Sequence, residues 1–482
     1  MNIKNIYTDV LIIGSGPGGA ISGYEIKKKT QLNVLILERG KSKSTKLKPY
    51  SSQEMDEAYY KGGLSTCIGK GNLVLATAET LGGGSEINSG FFRELPKKVG
   101  LNWKKKINDF SLNDISQNLK KIGAILKVNS NNKDEGKASK VLKKGSDKLK
   151  LRSMRVSRWI KSKKINGTWH HLRYGMINTY LKMFKDLGGI IKTNTVALKI
   201  CSYDKIKKIY TVKCLENNRT KYIECKYLFV CGGALMTPEF LLNSGIKKNI
   251  GNSLMLHQMS RLVAEFKEDK NENNFGVPVR QVDQYMSKMT FGCSVSTKQH
   301  LALWMSDNNN LIEILKNYKK YSVYYALINS QTRGKVLKTI FNKEPIIFYN
   351  ITKKDIKDNQ DAIRKLSKIL FLGGARKIYL SSGNASYQNE LSFKNMRELN
   401  IFINSKNYIP ELSSIHLFSS VRMGRDENCP LNSYGKLKEG SGNIYVNDAS
   451  MLPTSVGVNP QGIIMALAKR NVENFIQNIK TQ

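Results

Sequence analysis

Thr8 to Ile13 is apolar at almost every position and breaks at once into Gly14 and Gly16, the pattern of a strand buried on both faces. From Gly18 to Lys29 the residues Ala20, Ile21, Tyr24 and Ile26 fall on or near one helical face, and Asn33 to Leu37 repeats the strand pattern. The chain therefore starts with a predicted β-α-β unit. Farther on, Ile177 to Leu187 predicts a helix stopped by Gly188-Gly189, and Ile190 to Ile200 and Lys208 to Cys214 predict paired strands. Lys226 to Cys231 predicts another buried strand, followed after Gly232-Gly233 by a helix capped by Thr237 with Pro238 in its first turn. Between about Lys267 and Asn404, strand-like runs such as Ile346 to Ile351 alternate with an amphipathic helix over Asp355 to Phe371, which suits an antiparallel sheet layered with helices. The segment Lys61 to Gly90 has no such period and holds glycine at 62, 63, 69, 71, 82, 83, 84 and 90. Long glycine-rich loops of this kind bring backbone close to a ligand or to another segment.

The chain has 482 residues, and at about 150 residues per domain this predicts two or three domains or one large α/β enzyme with an inserted second layer. A hydrophobic fraction of 40% with 38 Gly and only 10 Pro is globular and excludes disordered and fibrous classes. The apolar run Val10 to Ile13 is too short for a signal peptide, and no stretch approaches the roughly 20 apolar residues of a membrane span. A cytoplasmic protein without a transmembrane segment is expected. Seven Cys, an odd number without CxxC spacing, predict neither a disulfide framework nor a metal site. The net charge of +40 raises nucleic acid or an anionic membrane as partner. Against this, lysines are spread along the whole chain and form no known nucleic-acid module, so no specific nucleic acid is expected. The densest stretch, Lys133 to Lys164, reads as a solvated face, with an anionic-substrate or lipid-surface patch as the alternative.

Gly14, Gly16 and Gly19 form a GxGxxG turn between the first strand and helix, with Ser15 inside it, and Glu38 follows Gly19 by nineteen residues at the end of the second strand, ahead of Arg39. Such glycines allow a tight turn and close approach of a pyrophosphate to a helix N-terminus, while the acid accepts hydrogen bonds from a ribose. A bound dinucleotide is expected, and the turn alone does not separate FAD from NAD.

Four further segments make that separation. Leu81 to Gly90 (LGGGSEINSG), Gly233 to Ile246 (GALMTPEFLLNSGI), His416 to Gly424 (HLFSSVRMG) and Asn443 to Pro460 (NIYVNDASMLPTSVGVNP) together resemble the glucose-methanol-choline (GMC) family of FAD-dependent oxidoreductases. The resemblance implies an α/β fold of GMC type: a discontinuous Rossmann-like FAD-binding domain over residues 1–95, 185–262 and 410–482, and a substrate domain of antiparallel sheet plus helices over 96–184 and 263–409. It implies FAD as cofactor. Gly84, Ser85 and Asn88 would lie along its pyrophosphate and flavin edge, Asp448 and Ala449 at the ribityl and pyrophosphate oxygens, and Val196 near the adenine, with Ala197 as an equal alignment. For Ser85 and Asn88 the alternative is plain turn chemistry.

His416 and Asn459, 43 residues apart, match the family's catalytic His and its His-or-Asn partner. By that resemblance the imidazole takes the alcohol proton as hydride leaves for the flavin, and the amide holds the same oxygen. Asn459-Pro460 also reads as a helix N-cap ahead of the apolar helix Gly462 to Ile476, whose N-terminus the family points at the flavin. His170 and His171 have no motif around them, and His257 is expected to pack near the cofactor domain rather than act. Where the family has Gly-Thr-Cys, this chain has Ser419-Ser420-Val421, a departure that bears on the substrate pocket. The function implied is FAD-dependent oxidation of a small-molecule primary or secondary alcohol, with a sugar-like or anionic alcohol among the candidates, to a carbonyl, with O2 or another electron acceptor. Two alternatives stand beside it: non-redox chemistry on the same fold, and a basic protein that binds nucleic acid or membrane surface.

Overall fold

The strand Ile6–Ile13 lies parallel between Val34–Leu37 on one side and Arg219–Val230 on the other, with Val10 opposite both Val34 and Tyr227. The computed structural model describes residues 6–481 except 43–46, 72, 130–134, 307, 340–343, 382–390, 406–407 and 441. The first helix, Pro17–Lys29, has Pro17 in its first turn and Lys27, Lys28 and Lys29 in its last, the charge arrangement its dipole favours. Gly14 has φ +100°, and a Cβ there would stand 2.3 Å from the Cys231 carbonyl oxygen, so only glycine lets the strand turn this tightly.

A first, seven-stranded sheet continues through Ile190–Lys192, Thr195–Asp204, Ile209–Glu216 and Ile444–Val446. Arg219–Val230 serves both halves: its start pairs antiparallel with Ile209–Glu216 through the left-handed pair Asn217-Asn218, and its end runs parallel to Ile6–Ile13. Two consecutive residues at positive φ are what a tight two-residue hairpin requires. The expected strand Ile190 to Ile200 is broken at Asn194, at φ +51°, into one piece that extends the parallel sheet and one that starts the antiparallel meander.

A second, ten-stranded sheet runs Ser65–Thr66, Leu73–Leu75, Leu412–Ser414, Gln258–Glu265, Tyr321–Ile328, Met289–Cys293, Arg280–Val282 and Ser153–Arg155, with Lys377–Leu380 and Leu391–Phe393 on a branch. The helix Lys353–Gly373 lies against it and packs on Lys137–Lys148, so closely that a Cβ on Gly145 would stand 1.9 Å from the Ile369 carbonyl. A Thr352/Asp355 capping box starts this helix and left-handed Gly374 ends it, framing the predicted Asp355 to Phe371.

Several boundaries differ from expectation. The second sheet takes strands from all the expected cofactor-domain segments, and Gln258–Glu265 crosses the expected division at 262/263. The helix predicted over 177–187 is confined to Tyr180–Asp186, and the Ile346 strand ends at Phe348 in a separate two-stranded ribbon with Lys335–Leu337. Thr237 does not cap its helix, which begins at Gly233 because Asp448 accepts the Gly233 N–H from outside. Pro238 is therefore internal. It lacks the N–H that would bond the Ala234 carbonyl, and Ser420 Oγ donates to that carbonyl instead at 2.7 Å. The last helix is Gln461–Lys480, with Pro460 at the N-cap position and no cap from the Asn459 side chain.

In the basic stretch, Lys143, Lys144 and Lys148 are exposed on Lys137–Lys148, whereas Arg158 is buried and donates to Val277 O and Ser162 Oγ. Lys133 and Asp134 lie outside the described residues. All seven cysteines are free thiols. Among the described residues no helix is long and apolar enough to cross a membrane, and no group of three or more His, Cys, Asp or Glu side chains is placed to hold a metal ion.

Candidate active site

A cavity of about 830 Å³ runs between the two sheets, toward the upper end of the range for small-molecule sites. At one end its wall is the glycine turn: Gly14 and Gly16, with Glu38, Arg39, Val196, Ala197, Gly233, Asp448 and Ala449. At the other end are His416, Asn459, Pro460, Met259, Arg261, His300, Trp304 and Tyr325, and the glycine-rich loop supplies Gly83, Gly84 and Asn88.

Three of the expected contact residues are set behind this wall. Gly19 packs on the turn, since a Cβ there would stand 1.9 Å from the Gly14 carbonyl. Ser15 Oγ donates to Glu38 at 2.6 Å and accepts from Gly82 N at 2.9 Å, tying the turn to the loop. Ser85 Oγ donates to Gly82 O and accepts from Met176 N, the turn role that was its alternative reading. Asn88 lines the cavity, but its amide donates to Gln461 Oε1 and accepts from Gly90 N. Arg173, buried and paired with Glu54, donates to the Glu86, Ile87 and Asn88 carbonyls and so clamps the loop over the cavity.

The wall fits an extended dinucleotide. A Cβ on Gly84 would meet nothing within 4 Å and one on Gly16 nothing closer than 4.0 Å, so both glycines face open space. The N-termini of Pro17–Lys29 and Gln461–Lys480 both line the cavity and present positive dipole ends for anionic groups. Glu38 accepts from Ser15 and from Gly40 N, and Asp448 from Gly233, Thr237 and Ser450. Burial raises both carboxyl pKa values above the ordinary range, and these donors oppose that shift.

At the other end His416 does not stand alone. Its Nδ1 lies 3.1 Å from Nδ1 of fully buried His257, whose Nε2 accepts the Gly457 N–H at 2.9 Å. An Nε2 that accepts leaves the His257 proton on Nδ1, directed at His416 Nδ1, so neutral His416 keeps its own proton on Nε2. His257, expected only to pack, thus fixes the tautomer of its neighbour. Burial first, and the Arg261 charge second, pull the His416 pKa down to about 3, so the ring is neutral across the physiological range. Asn459 Oδ1 accepts from Gln281 Nε2 at 3.0 Å, and the same Nε2 donates to Tyr325 Oη at 2.7 Å. With its oxygen engaged, Asn459 offers Nδ2 to the cavity.

His170 and His171 are not on the cavity wall; His171 bonds Ser162 Oγ and Asn274 O. Gln281, Tyr325, Arg261 and His300 went unread in the sequence. Their one visible signal was a polar residue interrupting a buried run, such as Arg261 within Gln258–Glu265.

Comparison with known proteins agrees with this architecture. Models of the GMC oxidoreductase family match residues 55–259 and 342–468. An uncharacterized GMC-type oxidoreductase of Sinorhizobium fredii is 28% identical over 96% of this chain and 94% of its own length. A long-chain-alcohol oxidase of Arabidopsis thaliana is 25% identical over 97% of this chain and 68% of its own. Among solved structures, pyridoxine 4-oxidase from Mesorbium loti superposes with a TM-score of 0.74 at 14% identity over 97% of this chain and 99% of its own. Aspergillus oryzae formate oxidase superposes with a TM-score of 0.76 at 13% identity over 99% of each. The glycine turn, the cavity between two sheets and the matched segments have one common explanation: this chain belongs to the GMC oxidoreductase family, whose cofactor is FAD.

Proposed function

We propose that this protein oxidises the CH–OH group of a small-molecule alcohol to a carbonyl. The observation that carries the reading is that His416 and Asn459 both line the cavity, with His416 Nδ1 engaged by His257 and Asn459 Oδ1 by Gln281, which leaves His416 Nε2 and Asn459 Nδ2 for a substrate. In this reading Gly14, Gly16 and the N-terminus of Pro17–Lys29 hold the FAD pyrophosphate, Glu38 the ribose and Val196 the adenine. Asp448 and Ala449 hold the ribityl region, and Asn459 and Pro460 stand at the flavin end. Bound FAD supplies the hydride acceptor.

The chain's own work is to hold the alcohol oxygen and manage its proton. Asn459 Nδ2 donates to that oxygen and orients it. His416, kept neutral by burial and by Arg261, takes the hydroxyl proton at Nε2 as the oxygen gives up its charge to form the carbonyl. Taking a proton there requires the tautomer with the His416 proton on Nδ1, shared with His257, and loss of the Gly457-to-His257 bond. Breaking such a buried bond costs about 1–3 kcal/mol. The Gly457–His257–His416 chain favours a second reading, in which the hydroxyl proton leaves to solvent water and His416 Nε2–H, alongside Asn459, donates to the resulting alkoxide oxygen and stabilises its charge.

The test is anaerobic absorption spectroscopy with a panel of alcohols. Bleaching of the oxidised flavin by one class supports the reading, and admitting air then separates O2 from another acceptor. A flavin that no alcohol bleaches rejects alcohol oxidation and returns the non-redox alternative. A proton inventory of wild type and His416→Gln separates base from donor: His416 as base predicts a solvent isotope effect that the variant loses.

A further inference from the structure

Two arginines line the cavity among the described residues, and only one has a counter-charge. Arg39 pairs with Glu79 at 3.4 Å. Arg261 projects from Gln258–Glu265, its guanidinium 5.1 Å from the Trp304 ring centroid and 6.0 Å from that of Tyr325. Its Nη1 reaches only Met259 Sδ at 3.7 Å, and its buried Nε has no hydrogen-bond partner. Burial lowers its pKa to about 10, with Tyr325 the only group opposing, so it remains a cation at neutral pH without a carboxylate beside it. A half-buried cation in that state, with its Nε buried and unbonded, is costly unless a ligand completes it.

His300 stands beside it on the helix Lys298–Trp304, one turn from Trp304. Thr297 Oγ1 accepts the His300 backbone N–H at 3.5 Å and lies 2.8 Å from Nδ1. With Nδ1 engaged by Thr297, His300 has Nε2 left for a ligand, and in the tautomer with the proton on Nε2 it is a second donor. One charge and one neutral donor between aromatic walls match a carboxylate, which is singly charged and planar, better than a phosphate, which calls for more positive charge.

The rest of the wall defines what joins this anchor to the reacting carbon. Met259 and Arg261 share one face of the strand, and Met259, Tyr325 and Leu327 form an apolar cluster on the cavity. His257, which holds His416, precedes Arg261 by four residues, a strand path of about 13 Å.

We propose that the substrate is a hydroxy acid whose carboxylate is seated on Arg261 and His300, with an apolar chain along Met259 and Leu327 carrying its hydroxyl to His416 and Asn459. This rests on the alcohol-oxidising reading above. The test compares flavin reduction by matched ω-hydroxy acids, their methyl esters and n-alcohols of equal length, in wild type and in FAD-loaded Arg261→Gln and Arg261→Lys. Wild type is expected to favour the acid over its ester by at least tenfold in kcat/KM. Arg261→Gln is expected to collapse that ratio toward one, and Arg261→Lys to restore part of it. Equal rates for acid and ester in wild type, or a variant that slows both equally, overturn the proposal; the second outcome places Arg261 with the flavin. Binding of unhydroxylated n-alkanoates, read from perturbation of the flavin spectrum, tests the anchor without turnover. Alkanoate binding that Arg261→Gln abolishes supports the anchor even if no alcohol is oxidised. Absence of binding, or tighter binding of alkyl phosphates, overturns it.

Discussion

At the glycine-turn end of the cavity, Glu38 and Asp448 are held by donors from their own surroundings. At the histidine end Arg261 has no carboxylate, and three histidines are held neutral by burial. The heart of the first end is also local, with its turn, helix and Glu38 inside 26 residues from Gly14 to Arg39, and Val196, Gly233 and Asp448 join it from farther along the chain. The second is assembled from strands and loops hundreds of residues apart, as His257, Gln281, His300, Tyr325, His416 and Asn459 show. Saturated, local architecture suits a cofactor that is bound once and kept. An end with spare donors and a spare charge suits a ligand that comes and goes.

The strongest attempt to break this contrast is Gly14→Ala. Positive φ and a 2.3 Å overlap with a backbone carbonyl should cost about 3 kcal/mol or more and abolish FAD retention. Absorbance ratios of the purified variant check this, and a fully loaded, stable Ala variant would refute the account of the turn. Next, His416→Ala should keep FAD and slow flavin reduction by about 10²-fold or more, measured by stopped flow. Loss of FAD instead would join the two ends that the comparison separates.

Acid should act through the histidine end. Folded His416 resists protonation down to about 3, while the unfolded side chain takes up a proton near 6.5. Stability is therefore unaffected by this group above that pH and falls as pH drops toward about 3, by on the order of 2 kcal/mol at pH 5. Urea midpoints at pH 7.5 and 5 should differ less in His416→Gln than in wild type, and equal differences would reject the assignment.

A smaller effect is expected from Gln281→Leu, which removes the bonds holding Asn459 and Tyr325 and should lower kcat/KM about tenfold with FAD content unchanged. The smallest is at the surface: Lys143→Glu, on an exposed pair with Asp147, should shift stability by no more than about 0.5 kcal/mol and leave the flavin spectrum alone. A marked change there would revive the basic stretch as a functional surface.

Legibility followed the same division. The strand, helix and second strand around the glycine turn were readable because each rests on contiguous periodicity and on glycines needed for local conformation. For Ser15 and Ser85 the sequence is ambiguous, since Gly, Ser and Asn mark both turns and ligand loops, and only the fold shows their hydroxyls bonded to Glu38 and Gly82. Thr237-Pro238 signals a helix start, but the helix begins at Gly233, because its first N–H is capped from outside by Asp448, 215 residues away, and Ser420 supplies the donor that Pro238 displaces from the Ala234 carbonyl.

By itself the sequence determined the β-α-β turn and the family, because these are carried by residue type at short spacing and in matched segments, and it pointed to His416 and Asn459, which both line the cavity. Tertiary structure alone decided that His257 sets the tautomer of His416, that Gln281 turns Asn459 toward the cavity, and that Arg261 faces it without a partner. Those outcomes depend on which strands become neighbours and which buried group finds a counterpart, and no local pattern encodes either.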